Sequence, residues 1–190
     1  MKATGIVRRI DDLGRVVIPK EIRRTMRIRE GDPLEIYIGP ENEIILKKYS
    51  PIAELGDFAK EYAQSINESL DKIVLISDRD NIIAVSGMPR KEFIGKAIGI
   101  LVERSMQERR SFVNDYTGQN QSSQEGSIIA DDSGQDQYRF SGEVIYPIIN
   151  QGDPIGTVII CTKDQSSPID KMEIKIAETA AAFLAKQLEQ

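Results

Sequence analysis

The sequence contains no histidine and no tryptophan, and its one cysteine is Cys161. Histidine is the commonest acid-base group and metal ligand at neutral pH, so its absence excludes Ser-His-Asp and Cys-His catalysis. A single cysteine excludes an intrachain disulfide and a metal site made of several thiolates. Glycine-rich nucleotide-binding fingerprints are also missing. We therefore expect no enzyme, and no catalytic residue, metal or cofactor.

Long apolar runs are lacking as well. No stretch approaches the ~18 apolar residues of a membrane span, and the N-terminus has no signal-peptide apolar region. Cys161 ends the short apolar run 157–161, where we expect a small buried side chain rather than a reactive thiol. The sequence thus predicts a cytoplasmic protein with no membrane partner.

Positive charge is in the minority, yet it is concentrated at the N-terminus. The chain has 25 basic and 30 acidic residues, for a formal net charge of −5. Residues 1–29 nevertheless contain nine Lys or Arg and only three acids. A row of surface arginines is often merely solvated, but a segment this short does not need so many basic residues for solubility. Because Arg pairs bidentately with phosphate and with the guanine edge, the pattern favours a nucleic-acid-binding N-terminal module, called the head below, on an acidic body.

The first 50 residues have the pattern of short strands around one helix. The expected elements are strands at 4–10 and 14–18 about a turn at 11–14, a helix that begins at Pro19, and strands at 34–38 and 43–48. This segment is shorter than the roughly 55–65 residues at which many domains fold unaided. We therefore expect it to fold only as an oligomer.

A second helix is predicted to begin at Pro51. Its apolar residues recur at spacings of three and four, which gives a stripe of roughly two heptads. That length leaves two arrangements open, a dimeric linker helix and a helix packed on its own domain. The stripe consists of Ile52, Leu55, Ala59, Tyr62 and Ile66.

From residue 72 the pattern is α+β. The expected elements are strands at 73–77, 82–86, 139–149 and 154–163, a helical region at 90–110 interrupted by Gly95 and Gly99, a polar loop at 114–126, and a helix at 168–188. These elements predict an antiparallel sheet with helices packed on one side. The last helix is expected to bury a stripe of Ile169, Met172, Ile176, Ala180, Phe183 and Leu188.

Two pairs of neighbouring carboxylates could suggest a metal site. Asp78 and Asp80 fall at a predicted hairpin tip, so turn formation explains them better than metal binding does. The same interpretation applies to Asp131 and Asp132.

Four N-terminal segments carry a specific resemblance. They read Lys-Ala-Thr-Gly-Ile-Val-Arg-Arg-Ile at 2–10, Leu-Gly-Arg-Val-Val-Ile-Pro at 13–19, Glu-Ile-Arg-Arg-Thr at 21–25 and Ile-Ile-Leu-Lys-Lys-Tyr at 44–49. Together they closely resemble the N-terminal domain of AbrB-type transition-state regulators. The continuations at 50–63 and 150–156 extend the resemblance, to a sporulation regulator of this family, over nearly the whole chain.

The resemblance implies an α+β fold made of two modules. The first, residues 1–50, would be an AbrB-like swapped-hairpin β-barrel, in which two chains interleave their strands to form a DNA-binding unit. Residues 51–71 would be a linker or signalling helix, and residues 72–190 a GAF-like antiparallel sheet with flanking helices. The implied function is a sequence-specific transcriptional regulator of sporulation genes in the forespore.

The resemblance also implies DNA contacts and an assembly. By motif match, Arg8, Arg15, Arg23 and Arg24 would contact double-stranded DNA, with Arg9 and Lys2 as helpers. Adjacent strand residues point to opposite sides, so only one of Arg8 and Arg9 would face DNA, and the sequence does not say which. The chain would dimerise through its head and form a tetramer through the helices at 51–70 or 168–188.

Two other functions stay open at this point. The chain could be a DNA-binding antitoxin, although the periodic pattern of residues 72–188 predicts a folded domain rather than a disordered toxin-wrapping tail. Alternatively, the GAF-like part could be primary and sense a small molecule, with a pocket between the sheet and residues 90–130. No ligand signature is present, so the identity of such a ligand is unknown.

Overall fold

The computed structural model describes residues 5–115, 127–130 and 140–188, apart from the side chains of Ala53 and Asp115. The chain divides into two compact units, residues 1–49 and residues 50–190. The first unit contains α1 (Lys20–Thr25), β1 (Leu34–Ile38) and β2 (Ile44–Lys48). The second contains α2 (Pro51–Glu54), α3 (Gly56–Leu70), β3 (Ile73–Ser77), β4 (Ile82–Ser86), α4 (Arg90–Phe93), α5 (Ile100–Glu108), β5 (Phe112–Asp115), β6 (Gly142–Asn150), β7 (Asp153–Thr162) and α6 (Lys171–Gln187).

In the first unit, β1 and β2 form an amphipathic hairpin. Their antiparallel register places Ile36 opposite Leu46 and Ile38 opposite Ile44. Because alternate strand residues point to opposite faces, these four apolar side chains share one face of the ribbon. The predicted strands at 34–38 and 43–48 are confirmed to within a residue.

The other predicted hairpin of this unit is not formed within one chain. Residues 5–10 and 15–19 are not strands. The turn at 11–14 between them is closed by the Gly14 N–H to Asp11 carbonyl bond of 3.0 Å and the Asp11 N–H to Arg15 carbonyl bond of 3.1 Å. Strands need a ladder of hydrogen bonds to a neighbour, and in the described part of a single chain this pairing does not continue beyond the bond between Asp11 and Arg15. The helix begins at Lys20, one residue later than predicted, and Pro19 immediately precedes it with a φ of −58°.

The first unit has no hydrophobic core of its own. Among residues 5–49, Pro19 is the one buried residue. Val7 and Ile38 are each 88% exposed and Val17 is 71% exposed. So many exposed large apolar side chains are unusual on a soluble monomer and indicate an interaction surface.

The second unit is built on a five-stranded antiparallel sheet of order β4-β3-β7-β6-β5. Its longest hairpin, β6-β7, turns at Gln151 and Gly152, whose φ values are 49° and 89°. Two successive positive φ angles are those of the two-residue turn that matches strand twist. Residues 114 and 115, which were predicted to be part of a loop, form the end of strand β5. The rest of the predicted loop, 116–126, lies outside the described residues. Asp131 and Asp132 also lie outside them.

Helices cover both faces of this sheet, so the prediction of a single helical side is wrong. On one face, α2, α3 and α6 pack over the alternate side chains Val74 and Ile76. On the other, α4 and α5 pack over Leu75. The central strands are apolar on both sides, so each face requires a covering layer.

Helix α3 belongs to the first of these layers. Its Ala59, Ala63 and Ile66 are buried there, together with Ile52 of α2. Of the two arrangements left open for the segment 51–71, the structure shows the helix packed on its own domain.

The predicted stripe of helix α6 is confirmed in part, since Ile169 and Ala180 are buried and Ile176 and Leu188 pack against the core. Met172 is 58% exposed and Phe183 is 39% exposed, although both were expected in the core. The buried residues of the helix are mostly small, which brings it close to the sheet: Glu173, Ala177, Ala180, Ala181, Leu184 and Ala185. The helix begins at a capping box in which Asp170 and Glu173 satisfy each other's backbone N–H groups.

The close approach of β7 to the end of β3 gives a stability prediction. A Cβ atom on Gly156 would lie 2.0 Å from the carbonyl oxygen of Ser77, so backbone must move to admit it. We expect Gly156→Ala to destabilise the chain by about 1–3 kcal/mol. Gly56→Ala is the matched control, because no atom lies within 4 Å of that Cβ. In urea unfolding followed by circular dichroism, the midpoint urea concentration should be lower than wild type for Gly156→Ala and not for Gly56→Ala. Equal midpoints for both variants would show that the contact is unimportant.

Candidate nucleic-acid interface

The described candidate DNA contacts all lie exposed on the first unit. Arg8 and Arg9 are on the extended segment 5–10, Arg15 follows the turn, and Arg23 and Arg24 are on α1. Both Arg8 and Arg9 are exposed, so exposure does not distinguish them. Lys2 lies outside the described residues.

The turn before Arg15 is organised by Asp11. Its Oδ1 atom accepts the backbone N–H groups of Leu13 at 3.1 Å and Arg15 at 2.8 Å. Its Oδ2 atom accepts the Arg15 Nε–H at 2.8 Å. The Arg15 backbone bond and then its side-chain bond lower the pKa of Asp11, so the carboxylate is ionised at neutral pH. Sequence reasoning counted Asp11 only as a turn residue and missed this link.

Arg23 and Arg24 both lie on the short helix α1. It starts after Pro19, whose carbonyl accepts the Arg23 N–H at 2.9 Å, and ends where Arg27 takes a φ of 51°. The two arginines occupy the last turn, where positive side chains compensate the helix dipole. Successive helical residues diverge, so the pair offers cations in two directions.

A lysine from the hairpin holds the end of this helix. Lys48 Nζ donates to the Arg27 carbonyl at 2.9 Å and lies 3.7 Å from an Asp32 carboxylate oxygen. Asp32 in turn accepts the Arg29 N–H at 2.8 Å. These contacts fix the segment between α1 and β1 against the end of β2. The sequence showed Lys48 only as a strand residue, because its partners lie far away along the chain.

The polar face of the hairpin carries its own contacts. Lys47 Nζ lies 4.5 Å from the centre of the Tyr37 ring, and the Tyr37 hydroxyl donates to Glu35 at 2.5 Å. This face therefore suits solvent, and the apolar face described above is the one left to be covered.

In the second unit, several residues of the region 90–130, where a pocket was expected, belong to a buried cluster. Phe93, Val102 and Ile128 are buried there against the sheet. A groove of about 280 Å³ lies beside α6, where Arg110 and Tyr146 are among its lining residues.

Helices α3 and α6 share an aromatic patch formed by Phe58, Tyr62 and Phe183. The ring centres lie 6.0 Å apart for Phe58 and Tyr62, 5.8 Å for Phe58 and Phe183, and 5.3 Å for Tyr62 and Phe183. None of the three is fully buried, and Phe183 is the most exposed. This patch is an apolar surface on the outer side of the helical layer.

Two features are absent from the described residues. No three His, Cys, Asp or Glu side chains within 5–115, 127–130 and 140–188 are grouped to hold a metal ion. Among the same residues, no helix combines the length and apolar character that crossing a membrane requires.

Family comparisons match the two units separately. Residues 54–189 match the family described as stage V sporulation protein T C-terminal, transcription factor. Residues 7–54 match the family described as antidote-toxin recognition MazE, bacterial antitoxin.

Individual proteins extend this result. Stage V sporulation protein T of Bacillus subtilis (strain 168) is 53% identical over 190 residues, which are all of this chain and all of that protein. The transition state regulatory protein AbrB of the same organism is 67% identical over 51 residues, or 27% of this chain and 52% of that protein. A GAF domain from an Acinetobacter phosphoenolpyruvate-protein phosphotransferase covers 73% of this chain and 88% of its own, with a TM-score of 0.56 at 10% identity.

An AbrB-like head followed by a GAF-fold domain defines the class as a two-module regulator. The fold prediction is thereby confirmed. Because the match to the C-terminal family covers most of the chain and the full-length relative is 53% identical, this chain belongs to the stage V sporulation protein T family.

The Lys48 contacts predict how firmly α1 is held. Lys48→Met keeps the aliphatic stem but removes the bonds to Arg27 and Asp32, and should destabilise the chain by about 1–2 kcal/mol. Lys47→Met is the matched control, since it removes only an exposed contact with Tyr37. Hydrogen exchange should quicken at residues 26–33 in the Lys48 variant and not in the control; similar protection in both would contradict the anchoring role.

Proposed function

We propose that this protein is a DNA-binding transcription regulator of sporulation genes and not an enzyme. The observation that carries the proposal is the 53% identity to Bacillus subtilis stage V sporulation protein T, which extends over both units without a gap in coverage. A regulator needs a reader and an assembly module, and the chain has one unit suited to each.

The arginines of the head supply the reader. Arg8, Arg15, Arg23 and Arg24 are the proposed DNA contacts, with Arg9 and Lys2 as helpers, and the described ones are all exposed. Guanidinium groups bind phosphate as fixed cations and can read guanine through paired N–H groups. Binding of this kind releases counterions and therefore weakens steeply with salt.

A second chain supplies the core that the head lacks. The apolar hairpin face of Ile36, Ile38, Ile44 and Leu46 needs a cover, and residues 5–19 need strand partners. One interleaved partner would meet both needs, because its own residues 5–19 could pair with and cover the hairpin. The dimer proposed here follows from these exposed groups and from the AbrB resemblance.

The aromatic patch offers a second self-contact. Phe58, Tyr62 and Phe183 would meet their counterparts on another dimer and join two dimers into a tetramer. Two DNA-reading heads on one particle gain avidity when both can bind together. We therefore assign the contact between dimers to the second unit.

The alternatives are less well supported. The head matches an antitoxin family, but the second unit is a folded domain rather than an extended tail, and residues 54–189 match a transcription-factor family. Against chemistry, Cys161 is fully buried, and this burial, aided by nearby Glu143, raises the pKa of its thiol far above its usual value. A protonated buried thiol is not a nucleophile.

The DNA contacts can be tested by charge removal at the head. We expect Arg15→Ala, Arg23→Ala and Arg24→Ala together to flatten the log-log salt dependence of DNA affinity by about 0.9 for each lost phosphate contact. The target is a duplex selected from random sequence for binding the wild-type chain. Affinity is measured by fluorescence anisotropy across a salt series.

The matched control removes three exposed cations from the second unit, with Arg90→Ala, Lys91→Ala and Lys163→Ala. It changes the net charge equally and should leave the salt dependence near wild type. If the folded head variant binds as tightly as wild type at every salt concentration, the assignment of these arginines is wrong.

The assembly can be tested at Phe183. A carboxylate introduced by Phe183→Glu would be trapped within the aromatic patch of the assembled particle, where burial of a charge is costly. We expect light scattering to report a tetramer for the wild-type chain and a dimer for this variant.

Ile100→Glu is the matched control, because Ile100 is an exposed apolar residue of α5 on the other side of the sheet. It should remain tetrameric. A tetrameric Phe183→Glu variant would exclude the patch as the contact between dimers.

A further inference from the structure

We propose that Asp11 is a specificity-determining residue, which positions the Arg15 guanidinium for base reading and suppresses its non-specific attraction to phosphate. The inference rests on the proposed DNA-binding role of Arg15. Its basis is the double attachment of one carboxylate to both the backbone and the side chain of the same arginine.

The geometry leaves the useful part of the guanidinium available. Asp11 accepts the Nε–H at 2.8 Å, so the side chain is held by its inner nitrogen. Bidentate reading of guanine uses the N–H groups of the guanidinium fork, and the terminal nitrogens remain for that purpose. The backbone of Arg15 is held as well, because its own N–H donates to the same carboxylate at 2.8 Å. Fixing a flexible side chain before binding lowers the entropy lost on contact.

The charge of Asp11 adds a second effect. A carboxylate beside Arg15 cancels part of its field and is itself repelled by phosphate. The hydrogen bonds from Arg15 lower the pKa of Asp11, so this charge is present throughout the neutral range. Non-specific binding depends on phosphate attraction alone and is therefore penalised, whereas a correctly placed base contact compensates the penalty.

The test compares two affinities of the full chain. One is for a duplex selected from random sequence with the wild-type protein, and the other is for a shuffled duplex of the same length and composition. Asp11→Asn keeps a carbonyl oxygen for the backbone N–H groups of the turn but replaces the carboxylate oxygen that holds Nε. We expect tighter binding to the shuffled duplex and a ratio of specific to shuffled affinity at least about fivefold lower.

Asp12→Asn is the matched control for charge. It removes one negative charge from the neighbouring residue. The side chain of Asp12 is exposed and takes no part in the hydrogen bonds that Asp11 accepts. It should strengthen both affinities alike and leave their ratio within about twofold of wild type, because no contact to Arg15 is lost. Circular dichroism confirms that each variant is folded.

A double-mutant cycle separates a positioning role from a merely structural one. If Asp11 acts through Arg15, then Asp11→Asn changes the ratio in the wild-type background and leaves it unchanged in the Arg15→Ala background. The inference would be overturned if Asp11→Asn and wild type had the same ratio of specific to shuffled affinity. If Arg15→Ala then bound DNA more weakly than wild type, the DNA-binding role of Arg15 would remain in place. A ratio lost equally in both backgrounds would also overturn the inference. An Arg15→Ala variant that binds both duplexes like wild type would instead refute Arg15 as a DNA contact.

Discussion

The need to cover the apolar side chains of the head is the constraint on which the rest of the structure depends. Residues 5–49 bury almost nothing by themselves, and the ribbon of β1 and β2 leaves one face open. Burial is worth roughly 25 cal/mol per Å², so exposed side chains such as Val7 and Ile38 make a lone head unfavourable. In the dimer we propose, association and folding are one event.

This constraint also explains the division of charge between the modules. Arginines on a small head repel one another, and in the proposed dimer two such sets come together. That repulsion is tolerable where phosphate will neutralise it and where local acids such as Asp11 reduce it. The second unit is acidic, and in the tetramer we propose its aromatic patch would provide a contact that does not depend on charge.

The sequence predicted the elements whose pattern is local. The strands at 73–77 and 82–86 follow apolar runs bounded by turns, and they are confirmed residue for residue. The predicted stripe of α6 was wrong at Met172 and Phe183, because alanines bury this helix while Phe183 faces outward. The strands expected at 4–10 and 14–18 are not seen at residues 5–18 for another reason, since a strand depends on a neighbour that the described part of one chain does not provide. The arginines were visible from composition, whereas the roles of Asp11 and Lys48 were not, because they depend on atoms brought together by the turn and by the hairpin.

The most direct test of the interleaved head is a filtered nuclear Overhauser measurement on the full chain. Protein labelled with ¹³C on Ile, Leu and Val methyls is unfolded, mixed with unlabelled protein and refolded, so that signals passing between chains can be selected. We predict interchain contacts between the methyl groups of residues 5–19 in one chain and those of residues 34–48 in the other. Contacts between these segments that occur only within a chain would contradict the account.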